Sequence, residues 1–188
     1  MTMQSETPAS PTPALPELDS ETLAFAGRVF QYARAGHVDE LAELFAQGLP
    51  ANLLNDKGDS LLMLAAYNGQ VETTRLILDN GGDPELSNDR GQTPLAGAAF
   101  KGDMAIVELL LEKGATIDGT GTGTRTALMT AAMFNRTEMV ELLLSKGADP
   151  TKRDGNGQSA ADLARSMNAA DTPFQLEAVE RLARLVID

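Results

Sequence analysis

The chain has 188 residues, of which 43% are hydrophobic and 4% aromatic, so it can fill a core with small side chains. It contains no cysteine and one histidine, His37, which excludes disulfides and thiolate chemistry and leaves little for a zinc site or a histidine relay. A net charge of −12 creates a field that repels nucleic acid and anionic membranes.

The first 19 residues are rich in Pro, Ser, Thr and Ala. They offer little apolar area to offset the entropy of ordering, so residues 1–19 are predicted to form a disordered tail. Its two PxxP spacings are more typical of a spacer than of a polyproline ligand. The tail has neither the basic nor the apolar region of a secretory signal, and the longest clean apolar run, Leu61 to Ala66, is too short to span a bilayer. These features, with the lack of cysteine, favour a cytoplasmic location.

The first predicted elements form a helical hairpin. Asp19 and Ser20 can cap a helix, which Gly36 then ends, and a second helix runs through Leu41 and Leu44 to Gly48. Apolar residues recur along the first helix at helical spacing: Leu23, Ala26, Val29, Phe30 and Ala33.

From that hairpin onwards the chain repeats with a step of 33 residues. One series of markers is Gly58, Gly91, Thr124 and Gly157, each followed two residues later by Ser60, Thr93, Thr126 and Ser159. A second series with the same step is Gly48, Gly81, Gly114 and Gly147. A period of this length predicts stacked repeats rather than one globular core.

Each middle period is predicted to hold a short and a longer helix. Ser60, Thr93 or Thr126 opens the short helix by accepting hydrogen bonds from its first amides. The short helix ends in a turn near Gly69, Gly102 or Asn135, and the longer helix that follows ends before the next glycine of the second series. The fifth period departs from the pattern after Met167 and ends in an amphipathic helix, predicted to cap the stack with Leu176, Val179, Leu182 and Val186 along one side.

These residues resemble the ankyrin repeat family, whose unit carries the motif GxTPLHxAA, a glycine turn and a leucine-rich second helix. The third period reads GQTPLAGAA, and the others read GDSLLMLAA, TRTALMTAA and GQSAADLAR. The resemblance covers Ser20 to Asp188 and implies a small, bacterial-type, all-α solenoid of about five helix-turn-helix repeats with short hairpin-like fingers. The predicted repeats are 22–54, 55–87, 88–120, 121–153 and 154–188.

The motif histidine of the family is replaced here by Met63, Ala96, Met129 and Asp162. In the family that histidine ties the fingers, the turns that connect the repeats, to the helices. The resemblance therefore implies fingers that are held less firmly. His37 lies at the start of a second helix, where the family also favours histidine, and is interpreted as local structure rather than as a base or ligand.

The resemblance also implies a binding surface, because the family binds proteins through its fingertips and the exposed side of its first helices. The predicted fingertips differ from period to period while the framework repeats, which indicates a surface selected for one partner; the alternative is that they are solvated turns. They are Asp56, Lys57, Asp59, Asp89, Arg90, Gln92, Thr122, Gly123, Arg125, Gly155, Asn156 and Gln158.

Large side chains recur late in each first helix, just after the paired alanines. They are Tyr67 and Asn68, Phe100 and Lys101, Met133 and Phe134, and Ser166 and Met167. A contiguous exposed apolar strip is typical of a binding site, so Tyr67, Phe100 and Phe134 are predicted to be its anchors. The alternative is that these side chains fill the space between adjacent helices.

Two further stretches do not match the ligand-binding motifs that they resemble. The glycine-rich stretch from Ile117 to Thr126 lacks the Lys-Ser or Lys-Thr pair and the preceding strand of a phosphate loop. A calcium loop starting at Asp154 would need glutamate where Arg165 stands. No cofactor and no metal are predicted.

The sequence thus predicts a monomeric, non-catalytic module that binds another protein and acts as a scaffold, inhibitor or regulator. Two alternatives stay open: a hydrolytic enzyme that uses carboxylates alone, and a structural protein that associates with itself.

Overall fold

The computed structural model describes residues 19–121 and 125–187, with side chains as far as residue 181. The predicted Pro-rich tail lies outside these residues apart from Asp19. Two predicted fingertip residues, Thr122 and Gly123, lie outside them as well.

The described residues form ten helices, two for each predicted repeat, and one isolated antiparallel bridge between Leu54 and Ser60. The all-α repeat solenoid is therefore confirmed, while the repeat boundaries stay predictions. The first helix begins at Ser20, two residues before the predicted start of the first repeat. The helices are α1 (Ser20–Ala35), α2 (Val38–Ala46), α3 (Leu61–Tyr67), α4 (Val71–Asp79), α5 (Pro94–Lys101), α6 (Met104–Glu112), α7 (Ala127–Met133), α8 (Thr137–Ser145), α9 (Ala160–Ser166) and α10 (Thr172–Ile187).

The first helices begin where the repeat pattern predicts. The Ser60 hydroxyl accepts a hydrogen bond from the Met63 amide at 3.0 Å, and the Thr93 hydroxyl accepts from the Ala96 amide at 3.2 Å. Thr126 and Ser159 cap α7 and α9 in the same way. One side-chain oxygen thus satisfies an amide that the helix itself leaves unpaired, which fixes the start of each first helix.

The first helices stack in one row, α1 on α3, α3 on α5, α5 on α7 and α7 on α9. The paired alanines of this row are fully buried, and their small side chains let neighbouring helices approach closely. The second helices cover the other side, with α2 against α4 and α4 against α6. This arrangement leaves the fingertips and the C-terminal ends of the first helices accessible to solvent.

The end of the stack is closed by α10, which packs on α9 and reaches α7 and α8. Asn135 takes the left-handed turn conformation, with φ of 52°, that glycine takes at the same step in earlier repeats. Its side-chain oxygen accepts hydrogen bonds from the amides of Asp171 at 2.9 Å and Thr172 at 3.2 Å. Asparagine therefore replaces glycine where the turn must also hold the terminal helix. Leu176 is fully buried, as the amphipathic pattern predicts.

The first half of α1 corrects one expectation. The helical spacing placed Leu23 on the same apolar face as Val29, yet Leu23 is 56% exposed and Phe25 is exposed as well, whereas Val29 is buried. The reason is length, because α1 is a 16-residue helix and its neighbour α3 a 7-residue one. The first turns of α1 therefore extend beyond the stack.

A separate series of hydrogen bonds joins the loops that follow the second helices. In each, a side-chain oxygen of one repeat accepts from a backbone amide of the next. The pairs are Asn52 with Asp83 at 2.8 Å, Glu85 with Thr116 at 2.7 Å, and Asp118 with Asp149 at 3.2 Å. Both members of these pairs advance by the repeat step, so they join the repeats in register.

Within the part of the chain that the structure describes, none of the helices combines the length and the apolar character needed to cross a membrane.

Two buried hydroxyl groups in α4 are sites where a substitution is expected to stabilise the protein. Thr73 and Thr74 are buried, and in the described structure neither side-chain oxygen has a hydrogen-bond partner. The next repeat has Ile106 and Val107 at these positions. Replacing a buried, unsatisfied hydroxyl with a methyl group removes a desolvation cost, so Thr73→Val and Thr74→Val should each raise the free energy of unfolding by about 1 kcal/mol. Urea denaturation of the single variants measures this.

The matched control is Thr130→Val, because the Thr130 hydroxyl donates a hydrogen bond to the Thr126 carbonyl at 3.2 Å. That substitution should leave the stability unchanged or lower it. A Thr74→Val protein that unfolds at lower urea concentration than the wild type would contradict the prediction.

Candidate binding groove

Three of the fingers are closed by a side chain that recurs at the repeat step. The Asn55 side-chain oxygen accepts hydrogen bonds from the amides of Lys57 and Asp59, both at 2.9 Å. Asn88 and Asp154 make the corresponding two bonds in their own fingers. The absence of the motif histidine implied fingers that are held less firmly. These bonds nevertheless close each of the three fingers locally. The 33-residue step from Asn55 to Asn88 could have revealed them.

The third finger has Gly121 at this step and therefore no side chain to make these bonds. Its φ is 57°, and a β-carbon there would lie 2.5 Å from the Ser87 β-carbon. Glycine is thus required by both the backbone conformation and the close approach of the preceding repeat.

The first and second fingers are also bonded to each other. The Asn88 amide group donates to the Asp59 carboxylate at 2.8 Å, and the Asp89 backbone amide donates to the Lys57 carbonyl at 3.2 Å. This corrects the prediction for Asp59, which we expected as an exposed fingertip contact. Asp59 is 9% exposed because its carboxylate accepts from the neighbouring finger. It is a structural group.

The three predicted anchor residues contact one another along the first helices. The rings of Tyr67 and Phe100 are stacked, with centroids 5.9 Å apart and planes 8° apart. Phe100 and Phe134 meet edge to face, with centroids 4.5 Å apart. Both arrangements are favourable for aromatic pairs. We call these three side chains the aromatic ladder.

The aromatic ladder both fills space and meets solvent. Phe100, in the middle, is half-buried, whereas Tyr67 is 36% and Phe134 is 42% exposed. The ammonium group of Lys101 lies 5.2 Å from the centre of the Tyr67 ring, within range of a cation–π interaction. The two interpretations left open by the sequence are therefore not exclusive, since the middle ring packs between the outer two.

The open side of the aromatic ladder faces a hollow of about 540 Å³ between the first helices and the fingers. A second hollow of about 220 Å³ adjoins it, and the two share Tyr67, Arg90 and Gln92. We call the two hollows together the groove. The larger hollow brings together eight of the predicted binding residues: Tyr67, Arg90, Gln92, Phe100, Arg125, Met133, Phe134 and Asn156.

Some groove residues were not predicted. Ala96, Thr130 and Asp154 also line the larger hollow, and Arg34 lines the smaller one. Arg34 belongs to α1, before the repeat pattern is regular, so its sequence position carried no signal.

The remaining predicted residues lie apart from the larger hollow. Asn68 lines the smaller hollow and, with Lys101, a separate shallow depression at the Gly69 and Gly102 turns. The fingertip residues Asp56, Lys57 and Asp89 are exposed but line neither hollow, and Met167 is exposed at the end of α9.

Charge is distributed unevenly in the groove. Arg90 and Arg125 are exposed, and in the described part of the chain neither guanidinium group makes a hydrogen bond or an ion pair. The two carboxylates that line the groove, Asp59 and Asp154, are buried and accept hydrogen bonds inside the fingers. The charged groups that the groove offers to a ligand are thus cationic, although the chain as a whole is acidic.

Two carboxyl groups outside the groove, Asp162 and Glu40, have lowered pKa values. Hydrogen bonds from the backbone amide and hydroxyl of Ser159 hold the pKa of Asp162 below its ordinary value. A hydrogen bond from His37 lowers the pKa of Glu40, at 3.0 Å between the ring nitrogen and the carboxylate. Both shifts favour the ionised form, which is opposite to the raised pKa of a carboxylic acid that donates protons in catalysis.

His37 also stacks on the ring of Tyr32, with centroids 5.3 Å apart. Its contacts are thus within the first hairpin, where the sequence analysis placed it. Across residues 19–121 and 125–187, no group of three or more His, Asp or Glu side chains is placed to hold a metal ion.

Comparison with known proteins agrees with this architecture. The family model described as ankyrin repeats, in three copies, matches residues 29–121, 62–154 and 98–184. An ankyrin repeat protein of Pseudomonas aeruginosa is 56% identical over 61 residues. That stretch covers 32% of this chain and 36% of the Pseudomonas protein, so the likeness to that relative extends over about a third of each.

Proposed function

The chain belongs to the ankyrin repeat family, and from this premise we propose that it captures a partner protein in the groove. Ankyrin repeats generally act as protein–protein interaction modules and are typically non-catalytic. The proposal assigns that general role to one surface of this chain and to the residues that line it.

The observation that carries the proposal is the aromatic ladder at the wall of the groove. Interface cores are enriched in aromatic residues, Met and Arg, and the residues that dominate binding lie in concave, well-packed positions. Here Tyr67, Phe100 and Phe134 stand beside Met133 and Arg90 in one hollow. Because the ladder is already packed, little side-chain freedom is lost when a partner covers it.

In this proposal the chain acts by occupancy as a scaffold, inhibitor or regulator, without a cofactor and as a monomer. The charge of −12 argues against nucleic acid as the partner. The cysteine-free composition suits the cytoplasm, which is the location we propose.

Site-specific crosslinking tests which surface meets the partner. With p-benzoylphenylalanine in place of Tyr67, irradiation in the native cell should produce a covalent adduct with one partner. The matched control carries the same group in place of Glu112, an exposed residue near the end of α6 on the second-helix side. An adduct that forms equally well from Glu112, or only from Glu112, would move the interface away from the groove.

A further inference from the structure

We infer that the groove binds a short peptide segment of its partner in which carboxylate side chains flank an aromatic or large aliphatic side chain. The inference rests on the proposed function and adds the chemistry of the partner.

The arginines of the groove lack a counter-charge within the described residues. Some cations elsewhere in the chain form ion pairs across neighbouring repeats, as Lys113 does with Asp79 at 2.5 Å and Lys146 with Glu108 at 3.1 Å. Arg90 and Arg125, like Lys57 and Arg75, form no ion pair with a carboxylate within the described residues, but these two arginines line the groove.

The acidic side chains of the groove, Asp59 and Asp154, accept hydrogen bonds in the fingers and form no ion pair with these arginines. The Asp154 carboxylate accepts hydrogen bonds from the amides of Asn156 and Gln158, both at 2.9 Å, and these bonds close the fourth finger. Asp59 is held by Asn88 in the same way. The guanidinium groups are therefore available to an external anion, and their planar geometry suits bidentate contact with a carboxylate.

The larger hollow is small and combines apolar with cationic lining residues. About 540 Å³ with an aromatic wall accommodates one or two large side chains rather than a folded domain. An aromatic or aliphatic side chain would cover the exposed faces of Tyr67 and Phe134, while flanking carboxylates would reach the arginines. Both parts of the ligand are required, because the hollow offers both kinds of surface side by side.

The net charge of the chain restricts the charge that the partner can carry outside the bound segment. Charges farther apart than a Debye length of about 8 Å are largely screened at physiological salt, so the attraction of the arginines is local. A partner that is acidic over its whole surface would be repelled at longer range by the charge of −12. We therefore infer an acidic and aromatic segment on a partner that is otherwise neutral or basic.

The test is selection of a displayed library of short random peptides on the full chain, followed by affinity measurement with the enriched peptides. The groove variant is Arg90→Gln with Arg125→Gln. The control variant, Lys113→Gln with Lys146→Gln, removes the same charge from the second-helix side. Circular dichroism confirms that both variants fold.

Peptides enriched on the wild type should combine Asp or Glu with Phe, Trp, Tyr or Leu. Their dissociation constants should rise about tenfold or more on the groove variant and stay unchanged on the control. Changing the Asp and Glu residues of the peptide to Asn and Gln should raise the dissociation constant on the wild type by a similar factor. The effects of the peptide change and of the groove variant should not add, because both remove the same contact.

Three outcomes would overturn the inference. Enrichment of neutral or basic peptides that need Phe100 and Phe134 would refute the charge argument and leave the proposed function standing. Peptides that bind equally well when both phenylalanines are replaced by alanine would refute the groove itself. No enrichment at all would refute the short-segment ligand, and the Tyr67 crosslink would then report separately on the proposed function.

Discussion

Partner capture should weaken by about 2 kcal/mol or more, roughly 30-fold in the dissociation constant, when Phe100 and Phe134 are both replaced by alanine. Phe100 contacts both other rings of the aromatic ladder, and Phe134 is its more exposed end. Removing both rings takes away much of the apolar surface that lines the larger hollow. A partner side chain would then lose its contact surface, which is the typical origin of a hot spot.

The matched control for this pair is Phe174→Ala in α10. Phe174 is 72% exposed and lines neither hollow, so its loss removes the same kind of side chain without touching the groove. Titration calorimetry or surface plasmon resonance with the captured partner measures the difference. Thermal unfolding must show that the double variant still folds, because Phe100 is half-buried. Unchanged affinity in a folded double variant would remove the anchor role of these residues.

A milder substitution separates apolar contact from ring geometry. Phe134→Leu keeps most of the apolar volume and loses the edge-to-face contact with Phe100. If burial of apolar surface drives capture, this variant should bind nearly as well as the wild type. If it binds as weakly as the alanine variant, the ring geometry itself is required.

The sequence predicts those parts of the fold that depend on local chemistry repeated at a fixed step. A threonine such as Thr93 caps its helix through its own hydroxyl, and Pro94 fits the first position whatever lies nearby. Asn135 adopts a left-handed turn because asparagine tolerates that conformation. Each feature depends on one residue and its chain neighbours, so a single period contains the signal.

Other features depend on which parts of the chain become neighbours, and there the sequence predicts less. Leu23 has the correct helical spacing, yet nothing in the spacing indicates that α3 is too short to cover it. Asp59 occupies a fingertip position, but its burial depends on Asn88 in the next repeat.

The presence of two arginines in the groove is another feature that the sequence alone does not predict. Arg90 and Arg125 come from different positions of two adjacent fingers, so the repeat step does not align them. They meet only because the stack places both fingers over the same hollow. The aromatic ladder, by contrast, could be predicted because Tyr67 and Phe100 occupy the same position in successive repeats.

The largest loss of stability is expected from Leu128→Ala. Leu128 is 1% exposed in α7, which packs between α5 and α9 in the middle of the row of first helices. The repeat step places Leu62 and Leu95 at the same position, and both are also buried. Removing a buried leucine side chain costs its transfer free energy and leaves a cavity, so the free energy of unfolding should fall by about 3 kcal/mol.

A stack of repeats compensates for the cavity left by Leu128→Ala less well than a globular core would. Each repeat contacts only its neighbours, so a cavity in α7 weakens the interface on both sides and cannot be filled from elsewhere. Leu23→Ala is the matched control, because the same atoms are removed from an exposed position and the change should stay within about 0.5 kcal/mol. Urea denaturation followed by circular dichroism measures both. If Leu128→Ala costs no more than Leu23→Ala, the row of first helices is not the core on which the groove depends.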